Sequence, residues 1–127
     1  MIRLFTGWDF RESVGWGVFA QSVVARASEP VSIIPMTGHQ FDGSNAFTYS
    51  RFFVPHMCNY EGWAIFADGC DQLCLADIKD LWDLRDDRYA VQVVNMTTRR
   101  RTRSSIAGRR WSAGTWIIAV KTGPVSC

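Results

Sequence analysis

No stretch of this 127-residue chain approaches the ~20 consecutive apolar residues of a membrane span, so a membrane-crossing helix is not expected. An export leader is not expected either. Arg3 and Asp9 leave too little room for its apolar core, and a cytoplasmic chain is expected. Cysteine is sparse, and Cys58, Cys70, Cys74 and Cys127 make no disulfide framework without an export signal. Cys70 and Cys74 lack a matching second pair, and His39 and His56 lie in unrelated contexts. Free thiols, buried or half-buried, are therefore expected rather than a zinc site. No internal repeat is present. Acid is absent from the last quarter of the chain. Residues 95–127 carry seven bases and no acid, a net +7, whereas residues 1–94 carry seven bases against 12 acids, a net −5. Such a sign change is unusual within one compact unit. The overall composition, 47% hydrophobic and 20% charged, excludes a disordered, collagenous or coiled-coil chain. At ~100–200 residues per domain the length allows one domain.

The apolar pattern alternates between short and long periods. Met1–Thr6 is a brief apolar run ending at Gly7 and predicts a buried strand. Arg11–Ala27 predicts a helix of roughly four turns. Val14, Val18, Gln21, Ser22 and Ala25 fall at helical spacing there, with Trp16, Phe19, Val23 and Val24 as apolar partners. Pro30 ends it. Val31–Pro35 predicts a second strand, so the first 35 residues read as a βαβ unit. Residues 37–46 form a Gly-, Ser- and Asn-rich loop. Phe47–Asn59 predicts a short helix kinked at Pro55. WAIFA at 63–67 predicts a fully buried strand, Ala76–Leu84 an amphipathic helix, and Tyr89–Val94 a fourth strand. The class is α/β with a largely parallel sheet, followed by an irregular basic C-terminal tail. Within that tail only WIIAV at 116–120 has strand character.

In open α/β sheets ligands bind beyond the carboxyl ends of the strands. Two acidic features fall there: Gly7-Trp8-Asp9 and Asp68-Gly69-Cys70-Asp71. Asp68 and Asp71 on one glycine turn suit a hard cation such as Mn²⁺ or Mg²⁺, which usually binds through one or two carboxylates plus substrate phosphates. The plainer reading is a pair of solvated turn acids. Arg51 lies among aromatics, placed either to bind phosphate or to pair with Asp68 and brace the loop. Asp86-Asp87-Arg88 reads as a solvated turn. The arginines at 99–101, 103, 109 and 110 would bind phosphate backbones non-specifically. No aromatic stacking pattern accompanies them, so nucleic acid is not the expected partner.

Three segments carry a resemblance to a known family. They are RLFTGWDFRES at 3–13, QSVVARASEPVSI at 21–33, and DGSNAFTYSRFFVPHMCNYEGWAIFADGCDQLCLADIKDLWDL at 42–84. The order Tyr-Ser-Arg-Phe, strand, acidic turn, Ala-Asp-Ile and aromatic helix is the selective part. Residues 1–94 resemble the Rossmann-like nucleotide-sugar-binding half of GT-A glycosyltransferases. The resemblance is to the glycogenin and lipopolysaccharide-galactosyltransferase type of bacteria and phages. It implies transfer of a glycosyl group from a nucleotide-diphosphate sugar to an acceptor. It implies nucleotide contacts from Thr6, Gly7 and Asp9, and a role for Arg51 in positioning the nucleotide sugar. Asp68 and Asp71 would hold Mn²⁺ (or Mg²⁺) against the diphosphate, although Asp68-x-x-Asp71 is one residue longer than the family's DxD. The acceptor and the catalytic residues are unassigned. Two other functions compete with this one: a non-catalytic nucleotide-binding module, and a nucleic-acid-associated protein acting through the Arg-rich tail.

The resemblance stops after YAVQVV at 89–94. The family's acceptor-binding half and its later metal-binding histidine do not follow. Permitted codons for residues 95–127, read one base out of register, encode without a stop a peptide that opens KHDY and contains RKNWSSVM. Those segments resemble the family's continuation. The division expected is therefore a nucleotide-sugar-binding half-domain at 1–94 and a frameshifted or disordered basic tail at 95–127. A chain truncated in this way is expected to turn over poorly.

Overall fold

The computed structural model describes residues 1–38 and 49–93, and the backbone of 118–121. Strand β1 (Ile2–Gly7) is followed by a 3-10 turn (Phe10–Glu12), helix α1 (Ser13–Val24) and strand β2 (Val31–Met36). A second 3-10 turn (Ser50–Phe53) runs into the short helix α2 (Val54–Met57), then β3 (Trp63–Ala67), α3 (Ile78–Trp82), β4 (Val91–Val93) and β5 (Ile118–Lys121).

Among the described residues the sheet has five strands in the order β2-β1-β3-β5-β4. β1 pairs in parallel with β2 on one side and with β3 on the other. The chain thus leaves β1 in one direction and returns on its opposite flank. Residues alternate between the two faces of the sheet. Ile2, Leu4, Ile65 and Ala67 pack with Phe19 and Val23 of α1 and Ile78 of α3. Phe5, Ala64 and Phe66 pack on the other face with Val54, Cys58 and Met36. Both faces of β1 and β3 are therefore covered, which is why β3 reads as an unbroken apolar run and β1 is apolar but for Arg3 and Thr6.

The sheet is largely parallel but mixed: β2, β1, β3 and β4 run in one direction, while β5, between β3 and β4, runs antiparallel to both. β4 is the fourth strand expected near 89–94, but it does not pair with β3. The tail is also not wholly irregular. Residues 118–121 fill the second edge of β3, in the register Trp63↔Lys121 to Phe66↔Ile118. The backbone groups along that edge of a buried central strand require partners, and the strand-forming part of WIIAV supplies them. The arginine run at 99–110 lies outside the described residues.

Two helices also differ from expectation. α1 buries Phe19, Ser22 and Val23, whereas Val14, Val18 and Val24 are 82%, 54% and 59% exposed. The helix is apolar on every side, so periodicity alone does not reveal its inner face. The helix expected at 47–59 is a 3-10 turn followed by one α-turn, and residues 47–48 lie outside the described region. Pro55 sits in the first turn of α2, where its missing N–H is not needed. Asn59 and Tyr60, at φ 53° and 56°, end the helix, and the Tyr60 N–H donates to the Pro55 carbonyl at 2.9 Å.

Candidate nucleotide and metal site

The carboxyl ends of β1 and β3 lie side by side, with Thr6 in register with Ala67. Thr6-Gly7 and Asp68-Gly69 therefore leave the sheet together. Thr6 is fully buried, and its Oγ1 accepts a hydrogen bond from Trp16 Nε1 at 2.7 Å, which fixes the first turns of α1 over the strand end. Gly69 has φ +82°, a left-handed conformation that a side chain resists. A Cβ there would lie 3.4 Å from both Thr6 Cβ and Phe19 Cδ1. Cys70 Sγ sits 3.6 Å from the Gly7 carbonyl oxygen, so the two loops touch directly. The approach of α1 is closer still: a Cβ on Gly15 would stand 2.2 Å from the Cys70 carbonyl oxygen.

Asp68 is 9% exposed and takes a salt bridge from Arg51, with Nη2 3.1 Å from Oδ1. The Arg51 guanidinium lies over the Phe66 ring at 5.2 Å from its centre, a cation–π contact from a neighbouring strand residue. Burial pushes the Asp68 carboxyl above its usual range. Arg51 pulls it back, and the charges of Asp71 and Glu12 push it up again. Of the two readings open for Arg51, the brace to Asp68 is thus present in the fold.

Asp9 is buried beside this site and is the N-cap of the 3-10 turn. Its Oδ1 accepts from the Arg11 backbone N–H at 2.9 Å and its Oδ2 from Arg11 Nη2 at 2.7 Å. Asp9 therefore anchors the lead-in to α1. Asp86-Asp87-Arg88 is more than a solvated turn, because Trp63 Nε1 donates to Asp87 Oδ1 at 3.0 Å. Cys58, Cys70 and Cys74 are free thiols, as expected, and Cys127 lies outside the described residues.

The sequence reading gave no site role to Glu12, Gly15, Trp16 or Cys70. A visible signal existed for Gly15: glycine inside a helix weakens it and often marks close approach of another backbone. Glu12 follows Asp9 by three residues, and its charge is felt at both Asp68 and Cys70. The Cys70 thiol is pushed up to about 11, first by burial and then by its hydrogen bond to Glu12. Only the thiolate is nucleophilic. At pH 8 the Cys70 thiolate is then far scarcer than that of an ordinary thiol. Iodoacetamide followed by peptide mass spectrometry is expected to leave Cys70 largely unmodified in the folded chain and to label it readily in urea. Fast labelling of the folded chain would refute this account of its environment.

Among the described residues no group of three His, Cys, Asp or Glu side chains is placed to hold a metal ion. The donors of the acidic turn nevertheless fit a hard divalent cation. Asp68 and Asp71 offer carboxylate oxygens, and their charges oppose one another across the turn. A cation relieves that repulsion, and Mg²⁺-like ions complete their shells with water and phosphate rather than a protein cage.

No protein-family model matches the chain. Protein CDI of Arabidopsis thaliana is 41% identical to it over 104 residues, an alignment covering 72% of this chain. The chain spans 40% of the length of that relative. Among solved structures, the apo form of the WbbM bifunctional glycosyltransferase superposes with a TM-score of 0.53 at 17% identity. The match covers 71% of this chain and 22% of that one. At such identity the likeness is one of fold: the chain has a mixed α/β, glycosyltransferase-like fold.

Proposed function

We propose that this chain is the nucleotide-sugar-binding part of a GT-A-type glycosyltransferase. Its reaction class is transfer of a glycosyl group from a nucleotide-diphosphate sugar to an acceptor. One observation carries the proposal. The order β2-β1-β3 makes the β1/β3 junction the point where the chain reverses its direction of travel across the sheet. Open α/β sheets bind ligands in the crevice at such a point. The residues that leave the sheet there are Thr6-Gly7 and Asp68-Gly69, with Arg51 on Asp68.

The roles follow from the chemistry of each group. Thr6 and Gly7, both buried and with Thr6 held by Trp16, set where the β1 loop leaves the sheet toward the nucleotide. Asp9 shapes the same loop through its cap. Asp68 and Asp71 hold Mn²⁺ or Mg²⁺, which supplies countercharge to the departing nucleotide diphosphate. Arg51 positions the diphosphate end of the donor. No residue of the chain is assigned to the acceptor or to proton transfer. A non-catalytic nucleotide-binding module uses the same site without sugar release.

Calorimetry with UDP and with GDP, in Mn²⁺ and in EDTA, tests the reading. Binding of at least one diphosphate in Mn²⁺, and its loss in EDTA, is the expected result. Absence of binding under all four conditions would reject the proposal. Sugar release from the corresponding donor separates the enzyme from the binding module.

A further inference from the structure

The Arg51–Asp68 pair presents a conflict that the proposed function does not resolve. Arg51 Nη2 lies 3.1 Å from Asp68 Oδ1. A divalent cation ligated by a carboxylate oxygen sits about 2.0–2.2 Å from it. Guanidinium and metal would then crowd the same carboxylate as like charges. The Arg51 side chain is the more exposed of the pair, 24% against 12% for Asp68. Arg51 belongs to a 3-10 turn outside the sheet, while Asp68 follows directly on the buried strand β3. Of the two the arginine has the longer side chain and more rotatable bonds, and turning it also breaks its contact with the Phe66 ring. The planar guanidinium fork matches phosphate as well as carboxylate.

We propose that Arg51 and a divalent cation exchange at Asp68, the displaced guanidinium being taken up by the diphosphate of the nucleotide. The inference rests on the nucleotide-sugar reading above and adds a coupling to it. Metal alone must displace a bound countercharge and binds weakly. A diphosphate supplies the guanidinium with a new partner and the metal with oxygen ligands, so the two bind cooperatively. Arg51 is thus a positioning residue that acts through Asp68.

Arg51→Gln removes the charge and keeps hydrogen-bonding capacity. Mn²⁺ titration followed by the electron paramagnetic resonance of free Mn²⁺, without nucleotide, is expected to show affinity increased by roughly 5- to 10-fold over the unaltered chain. UDP affinity in saturating Mn²⁺ is expected to fall by a similar factor. Arg51→Lys keeps the charge needed beside buried Asp68, and so serves if the glutamine variant does not fold. It is expected to bind Mn²⁺ alone no more weakly than the unaltered chain, and UDP with Mn²⁺ more weakly. A simple brace predicts otherwise: both affinities would fall together in either variant, and that result overturns the exchange. If the unaltered chain binds neither Mn²⁺ nor any nucleoside diphosphate, the reading of the site itself fails. If it binds them and the variants lose both affinities in parallel, only the exchange fails.

Discussion

Gly15→Ala is expected to destabilise the chain by about 1–3 kcal/mol, the usual range for overpacking a filled interior. The sign runs against helix propensity, since alanine normally stabilises a helix interior by about 1 kcal/mol relative to glycine. At Gly15 the added Cβ would meet the Cys70 carbonyl oxygen at 2.2 Å and its carbon at 3.3 Å. Those are backbone atoms of the acidic turn, and they have no rotamer by which to step aside. Either α1 lifts from the sheet or the turn holding Asp68 and Asp71 shifts. Gly17→Ala is the internal control. It lies two residues further along α1 with nothing within 4 Å of a new Cβ, and it is expected to raise stability. Urea denaturation of the two variants is expected to move the midpoint in opposite directions. Equal shifts of the same sign would show that α1 does not rest on the turn as described.

Asp68→Asn is expected to reduce Mn²⁺-dependent nucleotide-diphosphate affinity by about 10- to 100-fold, the range typical of disturbing a metal's protein environment. The fold is expected to survive. Asn matches Asp in shape, and burial already disfavours the charged carboxylate, holding its pKa above the ordinary value. The substitution removes the buried acid while Arg51 keeps an amide oxygen within reach. Calorimetry with Mn²⁺ and UDP, alongside a thermal melt, checks both halves of the statement. Undiminished metal dependence in the variant would remove Asp68 from the site.

The strands that frame the site were legible because their chemistry is local. IRLFTG and WAIFA are short apolar runs, and burial on both faces is the reason for their composition. Arg51 and Asp68 were each identifiable, and one of the two readings open for Arg51 was a pairing with Asp68. α1 was legible as a helix but not in its facing. Its twelve residues from Ser13 to Val24 contain no charge, so no polar side marks the solvent. The contact between Glu12 and Cys70 escaped notice because it arises from packing α1 against the acidic turn, a long-range contact with no local signature. The reversed strand β5 and its pairing with β4 escaped for a similar reason. β4 resembles any other strand in sequence, and its partner comes from a segment 25 residues further on.

The placement of β5 also dictates an order of assembly. β1, β2 and β3 can come together once residue 67 has emerged from the ribosome. β3 then waits for residues 118–121 before its other flank is joined, across fifty residues of intervening chain. β4 is made earlier than β5 yet pairs with it, so its docking is deferred as well. Distant pairings of this kind close slowly, because loop-closure entropy must be overcome first. During synthesis the nascent parallel trio therefore spends its time with one side of β3 uncovered.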